Sequence, residues 1–293
     1  MKKVSIIIGE SASITKEIID KFNFVVAPFV MEWPEGESLK GDNIFEKMRE
    51  AEKQGIKTTP KTSQPSMGVF KKAFEEGLKE SESVIAITIS SAISGTYNSA
   101  VQAKKIFDEE TQKRIFILDT LNADISESLL AIKATELIEQ GLSTEEIYKN
   151  LEALLSEIHL FAMLESPKWL EAGGRINHTL SVILSQMQKI GMRPILAIKD
   201  GLIKPANLRM QAKDTADAMF KQFEDLTKKP LSENKKCRVA ISHADNLEGA
   251  QKLRTLIEDK YPEVKIEFIS ITSMVIGCHV GPGTIICSFL AEN

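Results

Sequence analysis

Ser83-Val84-Ile85-Ala86-Ile87-Thr88-Ile89 runs directly into Ser90-Ser91-Ala92-Ile93-Ser94-Gly95-Thr96-Tyr97. The first part is the nearly unbroken apolar run expected of a strand buried on both faces of a parallel sheet. The second part is small and hydroxyl-rich, and a helix is predicted to begin near Thr96. Strand, polar loop and helix make one βα unit. At the carboxyl end of a parallel strand, such a loop lies where α/β sheets bind ligands. Ser94 and the amides of Gly95 and Thr96 can hold an oxyanion at the positive end of the helix. Ser94 serves equally well as an ordinary helix cap.

The pattern repeats outward from this unit. Val4–Ile8, Phe24–Val30 and Arg114–Leu118 read as strands, and Thr15–Lys21 and Ile44–Gln54 as helices. A helix over 124–140 places Ile125, Leu129, Ile132 and Leu137 on one face and stops at Gly141. Ser143 and Glu146 then form a capping box for the next helix. Strands alternating with such helices predict a mostly parallel sheet flanked by helices, Rossmann-like, over residues 1–160.

Residues 161–293 predict a second, mixed α/β domain. His159–Leu164 is strand-like, and a short helix after it ends at Gly173-Gly174. Lys199-Asp200-Gly201 turns a hairpin between Pro194–Ile198 and Leu202–Pro205. A helix is expected over about 211–228, a polar loop over 229–236, and a βαβ unit over strand 238–242, helix 246–259 and strand 265–270. Phe268–Ala291 has no charged residue and is long enough to cross a bilayer, but Gly277, Gly281, Pro282 and Gly283 interrupt it. Two buried strands joined by a turn are expected there instead.

A chain of 293 residues accommodates about two domains and a substantial core. Its net charge of −4 argues against a general nucleic-acid binder. Residues 1–160 hold 19 basic and 26 acidic groups, whereas 161–293 hold 18 and 15, so the second half is the better source of cations for an acidic ligand. Cys237, Cys278 and Cys287 have no CxxC spacing, which indicates neither a disulfide framework nor a zinc site. No signal peptide is read at the N-terminus, and the expected location is the cytoplasm.

The usual catalytic signatures are absent: no G-x-S-x-G elbow, Walker A loop, G-x-G-x-x-G or H-E-x-x-H. What remains is a series of loops. Thr62-Ser63-Gln64-Pro65-Ser66 opens a helix, with Ser66 as a candidate cap. Glu171-Ala172-Gly173-Gly174-Arg175-Ile176 puts an arginine after two glycines, and Lys204-Pro205 precedes Arg209. Ile276-Gly277-Cys278-His279-Val280-Gly281-Pro282-Gly283 sets a histidine in an uncharged, glycine-rich turn.

In this order the loops resemble the DegV family of bacterial fatty-acid-binding proteins. The matching stretches are residues 62–66, ISSAISGTYNSA at 89–100, Gly173-Gly174-Arg175-Ile176, Arg193-Pro194-Ile195-Leu196 through Asp200-Gly201, and residues 276–283. Each is weak alone; the ordered set spans nearly the whole chain. One departure stands at the end of the first strand, where Gly9-Glu10-Ser11 replaces the usual aspartate and serine. Met67 and Cys278 also differ from the commonest residues.

The resemblance implies two α/β domains with an acyl chain buried between them. It implies Thr62 and Ser94 as direct contacts to the fatty acid carboxylate, and Arg175, Arg209 and His279 as a surrounding charged network. Ser63, Ser91 and Gly95 would shape the loops, and Ile183, Leu184, Met187 and Ile190 are candidate walls for the tail. It further implies a monomeric carrier, not an enzyme, which needs no cofactor and presents the carboxyl group to the ATP-binding subunit of a fatty acid kinase, with transient contact at a membrane surface. Burying about fifteen methylenes contributes on the order of 12 kcal/mol before association costs. Two other readings of the residues stay open: a serine hydrolase or acyltransferase using Ser94 and His279, and a binding protein for a small anionic metabolite.

Overall fold

The computed structural model describes residues 2–209 and 214–292 and divides into two α/β units. The first comprises Met1–Val30, Ser63–Ile158 and Lys199–Leu202, and the second Met31–Thr62, His159–Ile198 and Ile203–Asn293. The units interleave: the second takes 31–62 from the N-terminal 160 residues, and the first takes 199–202.

The first unit is built on four parallel strands in the order Val25–Ala27, Lys2–Gly9, Ser81–Thr88, Ile115–Asp119. Alternation along the strands gives each face its own apolar set. Ile7, Val84, Ala86 and Ile115 meet Phe70 and Phe74 of helix Met67–Glu80 and Ala100 of helix Thr96–Lys104. Ile6, Ile8, Ile85 and Ile87 point to the other face and are equally buried. Helices Ile125–Glu139 and Thr144–Leu154 also pack on this sheet. The second of these carries the expected capping box at Ser143 and Glu146.

The second unit holds a mixed sheet in the order Lys265–Ile271, Lys236–His243, Ile285–Glu292, Ile158–Met163, Arg193–Lys199, Leu202–Arg209. Lys236–His243 runs parallel to Lys265–Ile271 and antiparallel to Ile285–Glu292. Phe161, Phe223 and Phe289 are fully buried in its core, the last two edge to face at 5.9 Å. Cys237, Cys278 and Cys287 are buried free thiols.

Three segments differ from the sequence reading. Phe24–Val30 is not one strand: Pro28 has no N–H to give, and the chain re-forms as Val30–Glu32, paired with Lys61–Ser63. Between Lys265–Ile271 and Ile285–Glu292 lies a helix, Met274–Val280, rather than a turn. Ser273 caps it by accepting from the Ile276 amide, and Gly277 is no breaker but a point of close approach, because a Cβ there would lie 2.5 Å from the Phe45 ring. The helix expected to end at 228 runs from Thr215 to Ser232, through Pro230, since Leu226 and Leu231 both pack against the core. Its expected first residues, 211–213, lie outside the described residues.

The Asp200-Gly201 turn has both residues at positive φ, 53° and 75°, as a two-residue hairpin of the primed type requires. At Gly201 a Cβ would also fall 2.6 Å from Ser90 Oγ. Gly201→Ala is therefore expected to cost about 1–2 kcal/mol and Gly201→Asn less. Thermal unfolding of the two variants beside the wild type checks the order.

Candidate functional site

In the first unit the hydroxyl loop is held by its neighbours' polar groups. Ser90 donates its amide to the Asn122 carbonyl at 2.7 Å and its hydroxyl to the Gly201 carbonyl at 2.8 Å. The Ser91 amide donates to Asp119 Oδ1 at 3.1 Å. Ser94 then sits at the mouth of helix Thr96–Lys104, its Oγ 2.8 Å from Thr96 Oγ1 and accepting from the Thr96 amide at 3.4 Å. With the buried Thr96 hydroxyl as donor, the Ser94 proton is free to donate outward. At Gly95 a Cβ would come within 2.6 Å of Gln64 Nε2, so a side chain there would have to displace the Gln64 amide. Ser63 and Ser91 are exposed. The Glu10 carboxylate, in place of the usual aspartate, accepts from the Phe29 amide at 2.7 Å.

In the second unit Thr62 and His279 form a pair, Oγ1 to Nε2, at 2.8 Å. The Gly173 backbone presses against the opposite edge of the ring, where a Cβ would collide with Nδ1. That Nδ1 is buried and has no hydrogen-bond partner among the described residues. Burial, helped by the positive charge of Arg175, pushes the His279 pKa down to about 4, so the ring is neutral at pH 7. Arg175 is half-buried, and its own pKa is lowered by desolvation. Its Nη1 donates to the Gly173 carbonyl, and no carboxylate pairs with it among the described residues. The result is a polar nook with a net positive charge and, among the described residues, no carboxylate partner for Arg175.

Arg209 does not share this condition. Its Nη2 reaches Gln222 Oε1 and, at 2.7 Å, the Asp225 carboxylate on helix Thr215–Ser232, so its charge is already met. Of the expected tail residues, Leu184 is buried on helix His178–Lys189, whereas Ile183 and Ile190 are 45% and 71% exposed. A cavity of about 270 Å³ in this unit is lined by Met163, Leu164 and Met192 together with Glu165, Gln188 and Asn246. Among the described residues no group of three His, Cys, Asp or Glu side chains could hold a metal ion, and no helix is long and apolar enough to cross a membrane.

The sequence reading missed two contributors. Gly173 was legible as the end of a helix but not as the wall behind His279, because close approach of a backbone to a ring leaves no local pattern. Gln64 was legible within its loop, but its contact with Gly95 depends on two segments meeting in space.

Comparison with known proteins bears on this geometry. The profile described as an uncharacterised protein of the DegV family matches residues 3–292. A protein of Thermotoga maritima named fatty acid-binding protein is 31% identical, over 97% of this chain and 96% of that one. The crystal structure of a DegV lipid-binding protein from Thermotoga maritima superposes with a TM-score of 0.77 at 29% identity, covering 99% of this chain and 98% of that one. DegV of Bacillus subtilis, described as a fatty acid binding protein, gives 0.79 at 27% identity, with all of both chains covered.

The neutral His279 carries a pH signature. Unfolded, it takes up a proton below its ordinary value of 6.5; folded, it resists until about 4. The unfolded chain thus binds more protons across that window, and stability falls as pH drops through it. His243, also lowered by burial, adds to the same slope. His279→Gln is expected to flatten the loss without abolishing it, as read from urea unfolding between those two pH values.

Proposed function

The chain belongs to the DegV family, and from that premise we propose that it binds a long-chain fatty acid and presents the carboxyl group to the ATP-binding subunit of a fatty acid kinase. Arg175 is the observation that carries the reading. A half-buried guanidinium without a carboxylate partner is costly, and a bound anion would relieve it. Thr62, beside the neutral His279, supplies a hydroxyl next to that charge, and Ser94 supplies a second donor at a helix N-terminus. In this reading Thr62 and Ser94 touch the carboxylate, Arg175 balances its charge, and His279 orients the Thr62 hydroxyl. Gly95, Ser63 and Ser91 shape the loops. Arg209, tied to Asp225, supports the framework and makes no direct contact.

The relatives support the ligand class: one at 31% identity is named for fatty acid binding, and the Bacillus subtilis structure at 27% is so described. The hydrolase reading is disfavoured by the chemistry of its base. A histidine with a pKa near 4 is a weak proton acceptor at neutral pH, and its Nε2 is engaged by Thr62 while Ser94 Oγ is engaged by Thr96.

Native mass spectrometry of the purified protein, followed by solvent extraction, tests the reading. A near-stoichiometric fatty acid is expected. An empty protein that also refuses added fatty acids would overturn the proposal in favour of a small anionic metabolite. Arg175→Ala should keep its fold and lose at least about tenfold in fatty acid affinity. Ser94→Ala should slow acyl phosphate formation when the kinase subunit and ATP are supplied.

A further inference from the structure

The first unit buries a carboxyl group for which the carboxylate site has no direct use. Glu127, in the first turn of helix Ile125–Glu139, is fully buried. Two ligand-side loops converge on it. From the loop after the first strand, the Ser11 hydroxyl donates to Glu127 Oε2 at 2.9 Å. The Ile89 amide, one residue before the Ser90–Gly95 loop, is directed at the same carboxyl group, as is that of Asp124. The residues on either side tighten the junction, since Ser13 donates to Asp124 and Ser128 to the Ala12 carbonyl.

Among the described residues no cation compensates this carboxyl group. The charge that acts on it is that of Asp124, which is of the same sign. Oε1 has no hydrogen-bond partner among the described residues. The backbone beside it is strained as well: Asp124 holds φ 54° and ψ −136°, a region that a residue with a side chain rarely adopts. A charged carboxylate so placed would be very costly, whereas a protonated one is a neutral group with a donor and an acceptor. Burial, the largest influence, and the nearby Asp124 favour that form and outweigh the Ser11 hydroxyl and the Asp124 and Ile89 amides, which favour the charged one.

We propose that Glu127 is a positioning residue: an uncharged, buried carboxylic acid that clasps the 9–13 loop to the foot of the Ser90–Gly95 loop and so sets the geometry of the Ser94 donor. The functional half of this statement rests on the fatty acid reading; the clasp itself does not. Glu127→Gln keeps the shape and the neutral character, and Glu127→Leu keeps only the bulk.

Three readouts test it. Difference infrared spectra of the wild type against Glu127→Gln should contain the C=O band of a protonated carboxylic acid; its absence overturns the neutral clasp. Amide hydrogen exchange in 9–13 and 89–95 should quicken in both loops in Glu127→Leu and stay at the wild-type rate in Glu127→Gln; unchanged exchange in Glu127→Leu overturns the positioning role. Binding of the fluorescent fatty acid cis-parinarate should weaken about tenfold in Glu127→Leu and by less than about threefold in Glu127→Gln. Equal binding by all three proteins refutes the link to the ligand. A wild type that ignores parinarate refutes the fatty acid reading instead, while band and exchange still judge the clasp. If Glu127→Leu fails to fold, the band and the Glu127→Gln exchange rates decide.

Discussion

A sheet covered by helices on both faces has only its strand ends at which to display polar groups, and the first unit follows from that restriction. Val84, Ile85, Ala86 and Ile87 spend every side chain on the two helical layers. Immediately beyond Thr88 the chain turns to hydroxyls and amides, each of which must find a partner once buried. They find one another: Ser90 with Asn122 and Gly201, Thr120 with the Thr88 carbonyl, and Ser91 with Asp119. Small hydroxyl residues suit this task because they reach backbone groups without filling space. The same closure leaves Ser94 at the rim, its hydroxyl paired with that of Thr96 and its oxygen accepting from the Thr96 amide.

The second unit meets a similar demand differently. The segment Met31–Thr62 leaves the N-terminal run of the chain and lies on the C-terminal sheet's unit, secured from several directions. Arg49 forms a two-pronged pair with Glu165 at 3.0 Å and a further contact with Asp245 at 3.1 Å; Lys168 pairs with Glu52, and the Phe45 ring fills the space that Gly277 vacates. Each exposed pair contributes little alone, but the apolar contact between Phe45 and helix Met274–Val280 fixes the docking. Thr62 is the last residue of this segment, so its meeting with His279 is a product of how the segment docks.

How much of this was legible in the sequence varied with the range of the interactions. The strand–loop–helix order, the Asp200-Gly201 hairpin and the Ser143–Glu146 box depend on neighbours within a few residues, and all three are present. Segments governed by distant contacts were harder to read. Gly277 resembled a turn glycine until the Phe45 ring was placed against it, and Pro230 resembled a helix stop until Leu231 was seen on the core. In the candidate site, Thr62, His279 and Arg175 stood out by residue type, and their surroundings bring them into one nook. Arg209 stood out for the same reason, but its partner, Asp225, lies on another element, and no local pattern revealed it.

The neutrality of His279 has a wider consequence. Around it, the cation is an arginine, whose guanidinium keeps its proton throughout the physiological range, and the remaining donors are hydroxyls. The nook therefore keeps a fixed charge across the neutral range of pH. Under the proposed function, the grip on an acidic guest would vary with the guest's own ionisation, and a change in pH would act on the guest while leaving the nook's charge unaltered.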